Sequence, residues 1–253
     1  MIEWNPTAYA RFESERTQPS VDLIKRISIR PNSILDIGCG PGNSTNQLAA
    51  FFPDADILGI DSSDSMLRTA LQTYPNLSFR KCLVPDELDT LKSYDLIFSN
   101  ACLHWIPEHK TLLPKLLSKL NNNGMLAVQI PMVQNAVFYK TLDCLVSTDR
   151  WNKLRSIRNF YNLTPDETYD ILASASKKIT MWETTYYHIV PSHNSVIDWY
   201  EGSGLKPYLS ALDPTEKQDF TDYLLGLIKS AYPKHADSSV ILKMPRLVFI
   251  AVK

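Results

Sequence analysis

The sequence predicts an α/β fold, in which a mostly parallel sheet carries helices on both faces and the last strand runs antiparallel. Three observations predict it. Between residues 33 and 130, short apolar runs typical of strands alternate with runs typical of helices, the pattern of strand–helix–strand units. A glycine-rich turn, Gly38 to Gly42, follows the first of these strands. The chain then ends in a continuous apolar run at 246–252, typical of a buried strand.

The elements of the first half are separated by turn and breaker residues. Residues 5–28 are predicted to be helical, and Pro19 is expected to divide them into two helices because proline lacks an N–H group. The predicted strands are 33–37, 57–60, 77–82, 94–99 and 125–130. The predicted helices between them are 43–52, 65–74 and 110–120, and the run 121–124 is predicted to be a turn.

The glycine-rich turn points to a nucleotide-like ligand. Glycines at Gly38, Gly40 and Gly42 let a ligand lie against bare backbone, and the helix start that follows offers unpaired N–H groups. Asp61, at the end of the next strand, can accept both hydroxyls of a ribose. The spacing is G-x-G-x-G, whereas dinucleotide sites use G-x-G-x-x-G, and the sequence contains no P-loop. The alternative is a structural turn in which Asp61 caps a helix.

The second half has a different pattern. Residues 131–176 and 192–239 look helical and enclose one alternating strand at 179–190. We expect a single domain, 1–253. Its predicted parts are N-terminal helices at 1–30, a nucleotide-binding core at 31–131, cap insertions at about 132–176 and 192–239, and sheet strands at about 179–190 and 246–252. The insertions would roof the ligand crevice, which in open α/β sheets lies at the carboxyl ends of the strands.

Composition excludes several classes of protein. The formal charge of −1 over 253 residues gives no electrostatic footprint for nucleic acid or an anionic membrane. No run approaches the ~20 apolar residues of a membrane span, and the N-terminus lacks the features of a signal peptide. The four cysteines are scattered, which indicates free thiols in a reducing cytoplasm, and no ligand cluster has metal spacing. We expect a cytoplasmic protein that is a monomer or a weak homodimer.

Two segments could hold the second reactant. His104 and Trp105 follow the fourth strand, where an acceptor could enter. The alternative is that Trp105 simply packs the loop and that His104 is a solvated or capped histidine. Before the first strand, Tyr9, Phe12 and Arg16 share one face of a predicted helix, and the arginine fork suits a carboxylate. An ordinary amphipathic helix with a surface arginine is the alternative.

A third segment lies on the strand at 179–190. Tyr186 and His188 share one face of that strand, where either side chain could bind a carboxylate. Half-buried strand aromatics are the alternative.

The chain resembles the trans-aconitate 2-methyltransferase family of class I S-adenosylmethionine-dependent enzymes along nearly its whole length. The matching runs are Trp4–Pro6, Tyr9, Phe12, Arg16, Leu35–Thr45, Gly59–Ser63, Asp95–Phe98, Asn100, Ala101, Trp105, Leu126–Gln129, Thr184–His188, Pro191–His193, Ile197–Trp199, Gly204, Leu205 and Pro245–Leu247. The resemblance implies a Rossmann-like sheet and transfer of a methyl group to a carboxylate of a small polycarboxylic acid. The implied products are a methyl ester and S-adenosylhomocysteine.

The resemblance also implies roles for individual residues. Those implied for the cofactor are Tyr9, Arg16, Gly38, Gly40, Gly42, Asn43, Asp61, Ser62, Met66, Cys82, Leu83, Asn100 and Ala101. The candidates for positioning the acceptor are Arg16, Trp105, Tyr186, His188 and Arg246, and none is assigned a certain catalytic role. The chain departs from the family in three places. Leu83 stands where an acid usually reaches the adenine amino group, Lys206 stands where arginine is expected, and residues 132–160 diverge.

Methylation of a carboxylate needs no general base, because the carboxylate is already ionised at pH 7. Three other functions remain open. The first is a methyltransferase that acts on another small acid, or on a hydroxyl or an amine. A hydroxyl or amine acceptor would need a base, for which His104 or His188 would serve. A catalytically silent S-adenosylmethionine-binding protein would bind the cofactor without turnover. A nicotinamide dehydrogenase is disfavoured by the glycine spacing.

Overall fold

The structure is a computed structural model that describes residues 13–157 and 160–253, except for the side chains of residues 13–16. Its centre is a seven-stranded sheet of order β3-β2-β1-β4-β5-β7-β6. The strands are β1 Ser33–Ile37, β2 Asp56–Asp61, β3 Ser78–Lys81, β4 Tyr94–Asn100, β5 Leu120–Pro131, β6 Lys178–Val190 and β7 Val240–Val252. The strands from β3 to β5 pair in parallel, and β7 runs antiparallel to both β5 and β6. The predicted mostly parallel sheet with an antiparallel last strand is therefore confirmed.

Nine α-helices are present in the described residues, and they surround this sheet. They are α1 Glu13–Ile24, α2 Asn43–Phe51, α3 Asp64–Thr73, α4 His109–Ser118, α5 Val137–Val146, α6 Pro165–Ala173, α7 His193–Glu201, α8 Lys206–Ser210 and α9 Pro214–Ala231. The longest, α9, begins at a capping box in which Asp213 and Glu216 satisfy each other's backbone N–H groups. Within the described residues, no helix is long and apolar enough to cross a membrane.

Three of the differences from the sequence prediction change how the elements are connected. Pro19 does not divide two helices, because α1 runs through it and buries Leu23 and Ile24 against the sheet. This packing stabilises the turn that proline alone would break. The predicted turn at 121–124 is part of β5, where the pairing with β4 shifts register after Tyr94. Finally, β7 begins at Val240 rather than at 246, since β6 pairs with it along its whole length.

The hydrophobic interior forms three clusters. One fills the sheet face under α4 and α6, and a second fills the opposite face under α1 and α2. The third joins α5, α7 and α9 to the first residues of β7, away from the parallel strands. We call this third cluster the roof, and it contains residues of both regions that were predicted to be cap insertions. Residues of the roof and residues at the carboxyl ends of the parallel strands line the same cavity.

Candidate functional site

The glycine turn after β1 is held in a left-handed backbone. Gly38, Gly40 and Gly42 have φ values of 73°, 55° and 96°. The N–H groups of Gly38 and Cys39 donate to the carbonyl oxygen of Ile60 at 2.8 and 3.0 Å, which ties the turn to β2. A Cβ atom at Gly38 would lie 2.2 Å from Sγ of Cys102, whereas one at Gly40 would have no neighbour within 4 Å. Gly38 is thus required by packing, and Gly40 leaves an open surface for a ligand.

Asp61 joins the turn to the end of β2. Its Oδ2 accepts from the N–H of Gly40 at 3.0 Å, and its Oδ1 accepts from the N–H of Ser63 at 2.8 Å. The cap of α3 is Ser63, whose hydroxyl accepts from the N–H of Met66, so Asp61 is not the helix cap. Burial raises the pKa of Asp61, and hydrogen bonds from the backbone N–H groups of Ser63, Gly40 and Ser62 oppose that shift. Each carboxylate oxygen retains a lone pair for a further donor.

A second carboxyl group, that of Asp36 on β1, supports the glycine turn. Asp36 is fully buried, and its Oδ2 accepts from the hydroxyls of Ser44 and Thr45 at 2.6 and 2.7 Å. Burial raises its pKa to about 6, and the two hydroxyl donors oppose the shift. These bonds fix the first turn of α2 to β1, so they hold the glycine turn in place.

A cavity of about 390 Å³ lies at the carboxyl ends of the parallel strands, under the roof. Eleven residues predicted for the site line it: Gly38, Gly40, Asp61, Ser62, Met66, Cys82, Leu83, Asn100, Ala101, Trp105 and Arg246. Arg246 is the cationic side chain in this lining, as far as the described residues go. The structure therefore brings together most of the predicted site, although the residues lie between positions 38 and 246.

Other predicted residues lie outside this cavity. Gly42 and Asn43 belong to the start of α2, where a Cβ atom on Gly42 would meet the rings of Tyr74 and Phe79. Tyr9 lies outside the described residues, and so does the side chain of Arg16.

The strand pair Tyr186 and His188 also lies outside it. The Tyr186 hydroxyl donates to Oδ2 of Asp22 at 2.8 Å, which links β6 to α1. The rings of Tyr186 and His188 stack at 6.2 Å, as their shared strand face predicts. His188 then stacks at 4.7 Å on Trp199, which does line the cavity.

One wall of the cavity is aromatic. Trp105 packs against Phe160 with ring centroids 4.7 Å apart, and Tyr139 meets the edge of Phe160 at 4.9 Å. His104 stacks on Phe160 at 5.3 Å and is buried. Burial and the nearby Arg246 lower the pKa of His104 well below its ordinary value, so its ring is neutral at pH 7.

Sequence reasoning missed Tyr139, Phe160 and Tyr200 in this wall. They come from the divergent region 132–160 and from the end of α7, and no local motif marks them. It also did not single out Gln129, which lines the cavity and is 1% exposed. The sequence feature that could have indicated Gln129 is that its amide is the one polar side chain in the otherwise apolar strand predicted at 125–130.

Comparisons with known proteins agree with this geometry. A family model described as a methyltransferase domain matches residues 31–194. The trans-aconitate 2-methyltransferase of Methylobacterium radiotolerans is 36% identical over 259 residues, covering 100% of this chain and 99% of the relative. The same enzyme from Yersinia pseudotuberculosis is 36% identical and covers 99% and 98% of the two chains.

Solved structures share the fold at low identity. The YcgJ protein of Bacillus subtilis has a TM-score of 0.60 and 15% identity, covering 93% of this chain and 98% of that protein. A phosphoethanolamine N-methyltransferase from Haemonchus contortus, solved with S-adenosylhomocysteine, has a TM-score of 0.58 and 16% identity and covers 93% and 53%.

Proposed function

We propose that this chain, which belongs to the trans-aconitate 2-methyltransferase family of S-adenosylmethionine-dependent methyltransferases, transfers a methyl group to a carboxylate oxygen of trans-aconitate. The observation that carries the proposal is the extent of the match. Relatives of that name align with 99–100% of this chain, so the match includes the roof as well as the glycine turn. The turn alone would indicate a cofactor, whereas the roof forms the wall where an acceptor would lie.

The residues present fit S-adenosylmethionine. Gly40 leaves open space beside the turn, and Asp61 keeps lone pairs on a carboxylate that lines the cavity. Met66, Cys82 and Leu83 line the same end of the cavity and offer an apolar slot for a purine ring. When bound, the cofactor supplies a methyl group on a sulfonium, so the products are a neutral thioether and a methyl ester and no proton is exchanged.

We propose that the cofactor is held by the predicted residues that line the cavity, with Asp61 accepting the ribose hydroxyls. Leu83 cannot accept a hydrogen bond from adenine through its side chain, and its backbone N–H already donates to Oε2 of Glu87 at 2.6 Å. The adenine ring would then be recognised by packing and by other backbone groups. We also propose roles for Gly42, Asn43, Tyr9 and Arg16 in holding the cofactor, on the resemblance alone.

On the acceptor side, we propose that Arg246 and Trp105 position the substrate. Arg246 supplies the positive charge that a polycarboxylate requires, and its planar fork matches the geometry of a carboxylate. Trp105 and the neighbouring Phe160 exclude water from the reacting groups. Tyr186 and His188 act at a distance from the acceptor, by docking β6 on α1 and by supporting Trp199.

The geometry favours a carboxylate over an acceptor that must lose a proton. The lowered pKa of His104 makes it a weak base, and His188 lies behind Trp199 rather than in the cavity. The chain's own residues therefore have to bind, align and dehydrate two reactants. Alignment of this kind supplies much of the rate of a bimolecular reaction.

The test is to mix the purified protein with methyl-labelled S-adenosylmethionine and trans-aconitate and to measure labelled ester. Saturable product supports both the reaction and the acceptor. Intact cofactor binding without product over a panel of acids would refute the proposal and favour a silent binding protein. A pH–rate profile with a titration near ~6.5 would instead indicate an acceptor that needs a base.

We further propose that residues 1–253 form one domain and that the protein acts in the cytoplasm on a small carboxylic acid, without nucleic acid or a membrane as partner. Its four cysteines are unpaired thiols in the structure, which suits a reducing compartment. A monomer or weak homodimer remains the expected oligomeric state.

A further inference from the structure

Three polar side chains lie side by side on neighbouring strands, on the face of the sheet that α1 covers. Asn100 of β4 is in register with Gln129 of β5, and Gln129 lies opposite Val248 of β7. Arg246 lies two residues from Val248 on the same strand, so it shares that face and is a diagonal neighbour of Gln129. All three line the main cavity. The three side chains therefore lie near one another on the floor of the cavity, with Arg246 diagonal to Gln129.

The amide of Gln129 lacks any hydrogen bond in the described part of the chain. Both its Nε2 and its Oε1 are buried without a partner, and so is Oδ1 of Asn100. Buried polar groups are nearly always hydrogen-bonded in native proteins, because an unmatched one loses its contacts with water. Gln129 is 1% exposed and faces the cavity, so a ligand in the cavity is the partner that this amide can find.

The charge of the reacting group changes during the reaction. A carboxylate that accepts a methyl group loses its negative charge, so a cation bound to it would stabilise the reactant more than the transition state. A neutral amide donor holds one carboxylate oxygen in place with a smaller penalty of this kind. A carboxylate that does not react keeps its charge throughout, and an arginine suits it.

We propose that Gln129 holds the carboxylate that is methylated and that Arg246 holds a second carboxylate of the same molecule. The proposal rests on the proposed function, because it assumes carboxylate methylation at this cavity. It defines the acceptor class as acids with at least two carboxylates, held against the aromatic wall of Trp105 and Phe160. In the step itself, a carboxylate oxygen forms the new O–C bond while the S–C bond breaks and its electron pair stays on sulfur.

The first experiment separates the two roles with two variants. Gln129→Met keeps the length of the side chain and removes the donor, so the reacting carboxylate oxygen is no longer held in line with the methyl group. Because this alignment contributes to the chemical step, kcat should fall on the order of 10- to 100-fold while the cofactor Kd is unchanged. Arg246→Gln should mainly raise the acceptor KM. If Gln129→Met changes only KM, or leaves both constants unchanged, the amide does not hold the reacting carboxylate and the proposal is overturned.

A folding readout keeps this test interpretable. Because the amide is unmatched without ligand, Gln129→Met should leave the Tm of the ligand-free protein equal or higher, whereas a structural role for Gln129 would lower it. Gln218→Met is the matched control, since Gln218 is exposed on α9 and its amide donates to the carboxylate of Asp222. This control should leave Tm, kcat and KM unchanged.

A ligand series distinguishes failure of this proposal from failure of the proposed function. Thermal shifts of the S-adenosylhomocysteine complex are measured with trans-aconitate, with fumarate and with crotonate, which has a methyl group in place of one carboxylate of fumarate. The proposal is supported if fumarate or trans-aconitate binds at least tenfold more tightly than crotonate and if Arg246→Gln removes this preference. That result supports it even if trans-aconitate is not methylated. Equal binding of crotonate, or no binding of any of the three, overturns it.

Discussion

Replacing Asp61 by asparagine should weaken binding of the cofactor without unfolding the protein. The two carboxylate oxygens each accept one backbone N–H, from Gly40 at 3.0 Å and from Ser63 at 2.8 Å. An asparagine has one carbonyl oxygen and one NH₂ group, so its NH₂ group must face one of these two donors. The variant therefore loses one backbone hydrogen bond and at least one lone pair that a ribose hydroxyl would use.

The size of the effect follows from these contacts. A hydrogen bond to a charged group contributes about 1.5–3 kcal/mol, which corresponds to a rise in cofactor Kd of roughly 10- to 100-fold. The stability of the ligand-free protein should change much less. Burial disfavours the charged form of Asp61, as the raised pKa of its carboxyl group indicates. A neutral asparagine avoids this cost, which offsets part of the lost backbone hydrogen bond.

The assay is calorimetric titration with S-adenosylhomocysteine and with its 2′-deoxy analogue. In the wild type, the missing hydroxyl should weaken binding, and in Asp61→Asn the two ligands should bind alike. The control is Asp64→Asn, which makes the same chemical change at an exposed carboxylate paired with Lys81 at 2.5 Å. A change in Kd of less than threefold in Asp61→Asn, or an equal change in the control, would refute the ribose role.

Three further predictions concern the supports of the site. Burial raises the pKa of Asp36 to about 6 from its ordinary 3.8, so the folded state binds this proton more tightly and loses stability as the pH rises through that window. The free energy of unfolding of Asp36→Asn should therefore exceed that of the wild type by up to ~3 kcal/mol at pH 7 and by little at pH 3.5. Denaturant titration at the two pH values measures this difference, and a difference that does not depend on pH would contradict the reasoning. Gly38→Ala should lower Tm far more than Gly40→Ala, because only the first places a Cβ atom 2.2 Å from Sγ of Cys102, and equal shifts in thermal unfolding would contradict the packing argument. Tyr186→Phe should cost about 1 kcal/mol of stability, from its bond to Asp22, and leave the acceptor KM within about twofold; a larger rise in KM would place Tyr186 at the substrate.

The placement of the glycine turn beside Asp61 could be predicted because both follow directly from local sequence. The glycine turn leaves β1 at the predicted residue, and Asp61 ends β2, so two adjacent parallel strands bring their ends together automatically. A parallel pair in register leaves little freedom in where the following loops lie. The identity of the helix cap could not be predicted, since Asp61 and Ser63 are both good capping residues and only the hydrogen bonds distinguish them.

The part of the cavity that we propose for the acceptor could be predicted only in part, because its residues are far apart in the sequence. Phe160 reaches Trp105 and Tyr139 from a segment between α5 and α6 whose pattern is not periodic. Arg246 is placed diagonally to Gln129 by the antiparallel pairing of β5 and β7, more than a hundred residues apart in the sequence. Neither arrangement is marked by a local motif.

The division of the interior into separate clusters has a consequence for specificity. The glycine turn and Asp61 are supported by the clusters on the two faces of the sheet, whereas Tyr139, Trp199 and Tyr200 belong to the roof cluster of α5, α7 and α9. Substitutions that repack the roof can therefore change the aromatic wall without displacing the cofactor residues. Residues 132–160, which are predicted to depart from the family, contribute to this roof, so we expect them to influence which acid is accepted. We propose that Gln129 and Arg246 on the floor of the cavity are what select an acid as acceptor.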